Sequence, residues 1–207
     1  MRYTGPRNRL ARREGIDLGL KTLGSKAQAG LLKRLNITPG QHGRSRKAKL
    51  TDYGVQLREK QKIKRMYGLS EKKLKSYFKH ASSMEGNTAE LLIQGVEKRL
   101  DNVLYRLQFA PTRASARQLV SHGHILVNGK KVSIPSYQVS EKDMIGFKKE
   151  SSTKIPYIEV MVEKKDATVP SWLERKAKST GLVLSMPLFE LFKEDINLQA
   201  VVEFYSR

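Results

Sequence analysis

At 207 residues the chain is long enough for one or two domains with a real core. It carries 40 Lys+Arg against 20 Asp+Glu, a formal net charge of +20, and residues 1–80 hold 22 Lys+Arg against 5 Asp+Glu, leaving 18 against 15 for the rest; such asymmetry points to a polyanionic partner. Cysteine is absent, which excludes disulfides and the usual thiolate zinc sites, and no apolar run is long enough to cross a bilayer or shaped like a leader, so no membrane partner is expected.

Residues 1–43 have little apolar content and no sustained period. Arg2, Arg7, Arg9, Arg12 and Arg13 stud the opening, with Lys33 and Arg34 further on. So few apolar side chains cannot offset an ordering cost of about 1 to 2 kcal/mol per residue, and the segment is expected to be a basic arm that orders only on a partner. Pro39-Gly40-Gln41-His42-Gly43 is a turn-rich hinge followed by Arg44, Arg46, Lys47 and Lys49. A turn that presents backbone N–H groups beside four cations fits phosphates, although turn chemistry alone describes a plain linker equally well.

Thr51 to Tyr67 has helical periodicity ended by Gly68. Tyr53, Leu57, Ile63 and Tyr67 face inward, and Arg58, Lys62 and Arg65 form a stripe on the far side. Ser70 caps a second helix whose Leu74, Tyr77, Phe78 and Ala81 share one face, with Lys72, Lys73, Lys75 and Lys79 outside. Lysines on a single helix are usually just solvated; one sign repeated over two consecutive helices with almost no acid marks a shared contact surface. Gly86-Asn87-Thr88 is a break with a cap, and the helix it starts is expected to run through Leu91 and Leu92 into the next stretch.

There Leu100, Val103, Leu104 and Leu107 make an amphipathic stripe, which Pro111 breaks. Thr112 caps a short helix from Arg113 to about Ser121, ended at Gly123. Ala116, Leu119 and Val120 are its inward face, and Arg113 and Arg117, four residues apart, share the flank and are expected to be exposed. Asn128-Gly129, between β-prone runs from Ile125 to Val132, is a strong hairpin signal. Lys130 and Lys131 extend the positive surface onto that hairpin, with His124 at the junction. Paired guanidinium forks suit phosphate oxygens, although a lone Arg pair is more often a solvated face.

Beyond the hairpin, Ile134 to Val139 is a Pro-interrupted loop or edge strand. Asp143 to Phe147 and the alternating Ile158, Val160 and Val162 are expected to be strands, so that a small antiparallel sheet packs on the helix pair. Ser171 is a candidate cap for a short helix carrying Trp172 and Leu173. The tail from Leu182 to Tyr205 is apolar and acidic and should pack on protein.

No P-loop, dinucleotide fingerprint, HExxH or Ser/His/Asp arrangement stands out. Glu194-Asp195 are adjacent acids with no pocket to argue around them. The four histidines, at 42, 80, 122 and 124, are too scattered for a metal ligand set. The chain is therefore expected to be a binding protein and no enzyme, with no cofactor, no metal and no small-molecule substrate.

Two resemblances sharpen this. The run RLDNVLYRLQFAPTRASARQLVSHGHILVNGKKVSIPSYQV is similar to the S-four RNA-binding domain, a small α/β module shared by ribosomal proteins, pseudouridine synthases, some RNA methyltransferases and tyrosyl-tRNA synthetases. Around it, RYTGP, RREG, PGQHG, DYGVQLREKQK, VPSWLE and VEFYSR, in this order and at these intervals, resemble the bacterial-type small-subunit ribosomal protein S-four family over essentially the whole chain. The resemblance implies an α+β fold with three parts: a basic N-terminal arm (1–43), a helical rRNA-binding domain (44–95) completed by the tail 182–207, and an inserted S-four module (96–181). It makes Arg2, Arg7, Arg9, Arg12, Arg13, His42, Arg44, Arg46, Lys47, Lys49, Arg58, Lys62, Arg65, Lys72, Lys73, Arg113, Arg117, His124, Lys130 and Lys131 candidate rRNA contacts. It further implies direct binding to the 5′ domain of small-subunit rRNA early in assembly, contact with the neighbouring protein S-five, an influence on decoding accuracy, proximity to mRNA where it enters the ribosome, and a cytoplasmic, ribosomal location. Many relatives have a four-cysteine zinc knuckle near the start; here Asn8 and Ala11 stand at two of its positions and residues 24–29 lack the others. A modifying enzyme with an appended S-four module would need a separate catalytic domain with a placed Asp, and a standalone RNA chaperone would leave the basic N-terminal half unexplained.

Overall fold

A computed structural model describes residues 3–43, 49–148, 156–163, 169–177, 179–187 and 196–207. In chain order its elements are α1 (Arg7–Glu14), α2 (Lys26–Leu32), α3 (Asp52–Met66), α4 (Glu71–Ser82), α5 (Thr88–Glu97), α6 (Leu100–Arg106), α7 (Arg113–Ser121), β1 (Ile125–Val127), β2 (Lys130–Lys131), β3 (Met144–Phe147), α8 (Pro156–Glu163), β4 (Leu173–Ala177), β5 (Thr180–Val183) and α9 (Leu198–Ser206). The architecture is α+β, as expected. It divides into two compact units, residues 1–92 with 192–207, and residues 93–191.

In the first unit the N-terminal stretch is not the structureless arm that its composition implied. Ala11, Leu18 and Leu31 are buried together, with Leu10, Ile16, Leu20, Leu35 and Met66 packed around them. These apolar residues fall on no single period because left-handed turns at Gly15 and Gly19 separate them. Polar ties replace missing burial: Arg7 donates to the Leu20 carbonyl, Asn8 to that of Ala27, and Arg12 to those of Ile37 and Thr38. Ser25 caps α2 by accepting from Gln28 N, while Gln28 Oε1 accepts from Gly24 N at 2.6 Å.

Thr51 caps α3 and Ser70 caps α4, each accepting a first-turn N–H, and Gly68 between them is left-handed at φ 62°. Ile63, Tyr67, Leu74, Phe78 and Ala81 are buried; Tyr53, expected inward, is exposed at its rim and meets Phe204 ring to ring. Helix α9 lies along α3 and touches α4. There Tyr205 stacks on Phe78 at 5.0 Å, Gln56 donates to Glu203, and Asn197 N donates to Glu59. The C-terminal tail does not act as one piece, since Leu182 and Val183 are in β5 of the other unit.

In the second unit a five-stranded antiparallel sheet, ordered β2-β1-β3-β5-β4, buries one core with α6 and α7. Leu100, Val103, Leu104 and Leu107 of α6 meet Ala116, Leu119 and Val120 of α7, Ile125 and Val127 of β1, Ile145 of β3 and Val183 of β5, with Trp172 and Ile158 in the same cluster. Burying such side chains contributes about 1.5–3 kcal/mol each. Asn128 (φ 49°) and Gly129 (φ 76°) form the expected two-residue turn, pairing Val127 with Lys130.

Four expectations are corrected here. The helix from Thr88 does not continue: it ends at Glu97, and Arg99 is extended before α6 begins, because Arg99 turns inward onto Asp101. The freed backbone is taken up by the 134–139 loop, with Leu100 N donating to Tyr137 O and Val139 N to Lys98 O. Helix α6 closes at Leu107, ahead of Pro111, where Gln108 is left-handed at φ 59°. Residues 156–163 are a helix rather than a strand; Ile158 and Met161, three apart, are buried while Val160 is 59 % exposed, a helical and not an alternating pattern. Finally, Ser171 starts no helix: Trp172 is buried in the turn that enters β4.

Candidate nucleic-acid interface

Of the candidate contacts, Arg2, Arg44, Arg46 and Lys47 lie outside the described residues. The first unit, with 24 Lys+Arg against 10 Asp+Glu, carries most of the others, in two different states. On α4, Lys72, Lys73, Lys75 and Lys79 are exposed on the face away from Leu74, Phe78 and Ala81, and Lys73 Nζ sits 5.1 Å from the Tyr77 ring centre. Arg9, Arg13, His42 and Lys49 are also exposed. These side chains are presented to solvent.

The α3 stripe differs. Arg58 and Arg65 both donate to Glu14 Oε1, and Lys62 pairs with Glu59 at 2.6 Å. The Glu14 side chain is fully buried. Burial pushes its carboxyl above the ordinary carboxylate range, and the charges of Arg65, Arg58, Lys62 and Arg13 pull it back only in part. Arg58 and Arg65 therefore face the N-terminal helix rather than lying bare, although both side chains keep about a quarter of their surface in solvent. Arg7 and Arg12 are likewise half-buried, held by backbone carbonyls, and Arg12 supports the turn ending at Gly43.

On the other side of α3, Lys60 and Lys64 pair with Glu71, which also accepts from the Tyr205 hydroxyl at 2.8 Å. Burial raises the Glu71 carboxyl, but the bonds from Lys60, Tyr205 and Lys64 outweigh it and hold it at about 2. Lys60 also lies 4.4 Å from the Phe204 ring. This cluster fastens α9 to α3 and α4.

In the second unit, α7 begins as expected at Thr112, whose hydroxyl accepts from Ser115 N. Its end is set by Gly123 (φ 72°), with His124 N donating to Leu119 O. A side chain at Gly123 would meet Lys131 Cε at 2.3 Å, so the Lys131 stem crosses the end of α7. Lys130 and Lys131 are exposed.

Arg113 and Arg117 are not equivalent. Arg117 is half exposed and its Nη1 lies 3.2 Å from Asp101. Arg113, expected to be exposed, is half-buried: its Nε donates to Asn102 Oδ1 at 2.8 Å and its guanidinium lies 4.4 Å from the Tyr105 ring centre. Behind them is a buried polar network absent from the sequence reading. Arg99 forks onto both Asp101 oxygens; Arg106 forks onto both Glu97 oxygens; Asn102 Nδ2 donates to the Glu97 carbonyl and carboxylate. Four guanidiniums are thus ordered by two carboxylates and one amide, an excess of positive charge of which Arg117 is the half-exposed member. The available signal was the charged run Glu97 to Asn102 inside an apolar periodic stretch. Among the described residues no group of His, Cys, Asp or Glu could hold a metal ion, and no helix is long and apolar enough to cross a membrane.

Comparison with known proteins matches residues 2–97 to the family model described as "Ribosomal protein S4/S9 N-terminal domain" and residues 98–145 to the one described as "S4 domain". Small ribosomal subunit protein uS4 of Aquifex aeolicus (strain VF5) is 51% identical to this chain, across 100% of it and 99% of the relative. Proteins of the same name from Herpetosiphon aurantiacus and Trichlorobacter lovleyi are 49% and 47% identical over equally complete lengths.

Proposed function

The chain belongs to the small ribosomal subunit protein uS4 family, and from that membership we propose that it is a structural, non-catalytic constituent of the small ribosomal subunit that binds rRNA directly. One observation supports this most: the exposed lysine face of α4, set on a unit with 24 cations against 10 acids, is a surface for a phosphate backbone and for little else. The Arg113, Arg117, Lys130 and Lys131 surface of the S4 domain serves as a second contact, where half-fixed guanidiniums set register on the RNA.

Within this reading, residues 1–43 are a basic extension, 44–95 with the C-terminal tail a helical rRNA-binding region, and 96–181 the S4 module. The protein binds the 5′ domain early, nucleates its assembly in the cytoplasm, lies against protein S-five near where mRNA enters, and through that contact influences accuracy. The test is co-sedimentation of the full chain with small subunits through a high-salt wash, alongside binding to isolated 5′-domain rRNA. Retention and direct binding are expected; release into the supernatant with no affinity for the isolated RNA would overturn the proposal.

A further inference from the structure

The contact to Arg113 has a direction, and its source lies one residue further back. Glu97 and Asn102 are both buried. A carboxylate only accepts, so the Asn102 amide turns its Nδ2 to Glu97, bonding the Oε2 at 2.6 Å and the Glu97 carbonyl at 3.0 Å. Its oxygen must then face the other way, where it accepts from Arg113 Nε at 2.8 Å. The Tyr105 ring, 4.4 Å from the guanidinium carbon, fixes the remaining tilt. Glu97 is itself held by the Arg106 fork on both oxygens.

We infer that Glu97 is a positioning residue for RNA recognition: it never touches RNA, but by fixing the polarity of the Asn102 amide it sets the plane in which Arg113 meets a phosphate. This rests on the proposed rRNA contact at α7. The idea has a sign opposite to plain electrostatics. Removing a carboxylate from behind a basic face strengthens binding to a polyanion if only net charge matters. Under positioning, Glu97→Gln weakens it, because the substitution removes the charge and one of the two acceptor oxygens that Arg106 and Asn102 Nδ2 share. The Glu97 backbone carbonyl is then left to carry more of the hold on the Asn102 amide, and the acceptor for Arg113 is fixed less firmly.

The experiment is a double-mutant cycle on full-length protein, with a transcript of the small-subunit 5′ domain as probe. Glu97→Gln should bind about tenfold more weakly, the size of one charge-assisted hydrogen bond, and should have no further effect on an Arg113→Ala background. Without RNA, the Arg113 Nε–H NMR signal should move in Glu97→Gln. Unchanged or tighter binding by Glu97→Gln overturns the inference, as does an equal loss in both backgrounds, which would mark a fold defect. Arg113→Ala binding like the wild type overturns the underlying contact and the inference with it. If Glu97→Gln does not fold, Asn102→Ala carries the same cycle, with the same outcomes deciding.

Discussion

Arg58 of α3 and Glu14 of α1 lie 3.2 Å apart, and Arg65, two helical turns along, donates to the same Glu14 oxygen. Two cations that spacing alone assigns to an outward stripe are therefore the clasp that holds the N-terminal segment to the helical unit. Glu14→Ala should lower stability by about 1–2 kcal/mol, less than for a fully buried pair because both guanidiniums can hydrate. Amide exchange over residues 7–14 should accelerate. Unchanged protection there would mean that the packing of Ala11, Leu18 and Leu31 suffices.

The pH dependence has two limbs. Glu71 is held at about 2, below the ordinary 4.5, so its contribution is complete above 4.5 and is lost as pH falls through about 2. Burial, together with the bond to Glu71 and its charge, raises the Tyr205 hydroxyl above its usual 10, so its contribution is complete below 10 and declines as pH rises beyond it. Glu71→Gln should flatten the acid limb and Tyr205→Phe the alkaline one in denaturant midpoints measured across pH. Wild-type slopes in both variants would rule out the cluster as the anchor of α9.

Arg113→Ala and Arg117→Ala should separate. Losing Arg113 leaves the buried Asn102 oxygen without its donor, at a stability cost of about 1–3 kcal/mol, whereas Arg117, half exposed beside Asp101, should cost under about 1 kcal/mol. Both should weaken RNA binding. Thermal melts beside filter binding check this, and wild-type affinity in the double variant would make this face merely solvated.

Binding to rRNA should weaken steeply with salt. With about five or more neutralised phosphates, log K against log salt should have a slope steeper than roughly −4. A slope near −1 would limit the contact to one or two phosphates.

Gly181 of β5 tests the core. A methyl group there would meet Leu107 Cδ1 and Cδ2 at 2.6 and 2.7 Å, and both residues are buried. Gly181→Ala should destabilise by about 1–3 kcal/mol through overpacking, read as a lower denaturant midpoint with an unchanged slope. A neutral result would show that Leu107 has room to move.

What the sequence determined by itself was local. Thr51, Ser70 and Thr112 each cap the helix expected of them, Asn128-Gly129 turns the hairpin, and Leu100, Val103, Leu104 and Leu107 face a core, because caps, turns and stripes depend on residues only a few positions apart. The charge asymmetry and the polyanion it calls for also needed no coordinates. Short apolar runs were ambiguous: three alternating pairs at 158–163 fit a strand as well as one face of a helix, and only burial of Ile158 beside Trp172 in the core decides. The packing of the N-terminal segment is not legible in the sequence because its few apolar residues gather across turns, without a period. Above all, sequence spacing could place Arg58, Arg65 and Arg113 on helix faces but could not choose their partners. Glu14 is 44 and 51 residues from its two arginines, and Asn102 is 11 from Arg113. A charge becomes a clasp, a guided contact or a free cation according to which acid or amide the tertiary structure brings within hydrogen-bond distance of it, and that is a property of packed helices, not of any one of them.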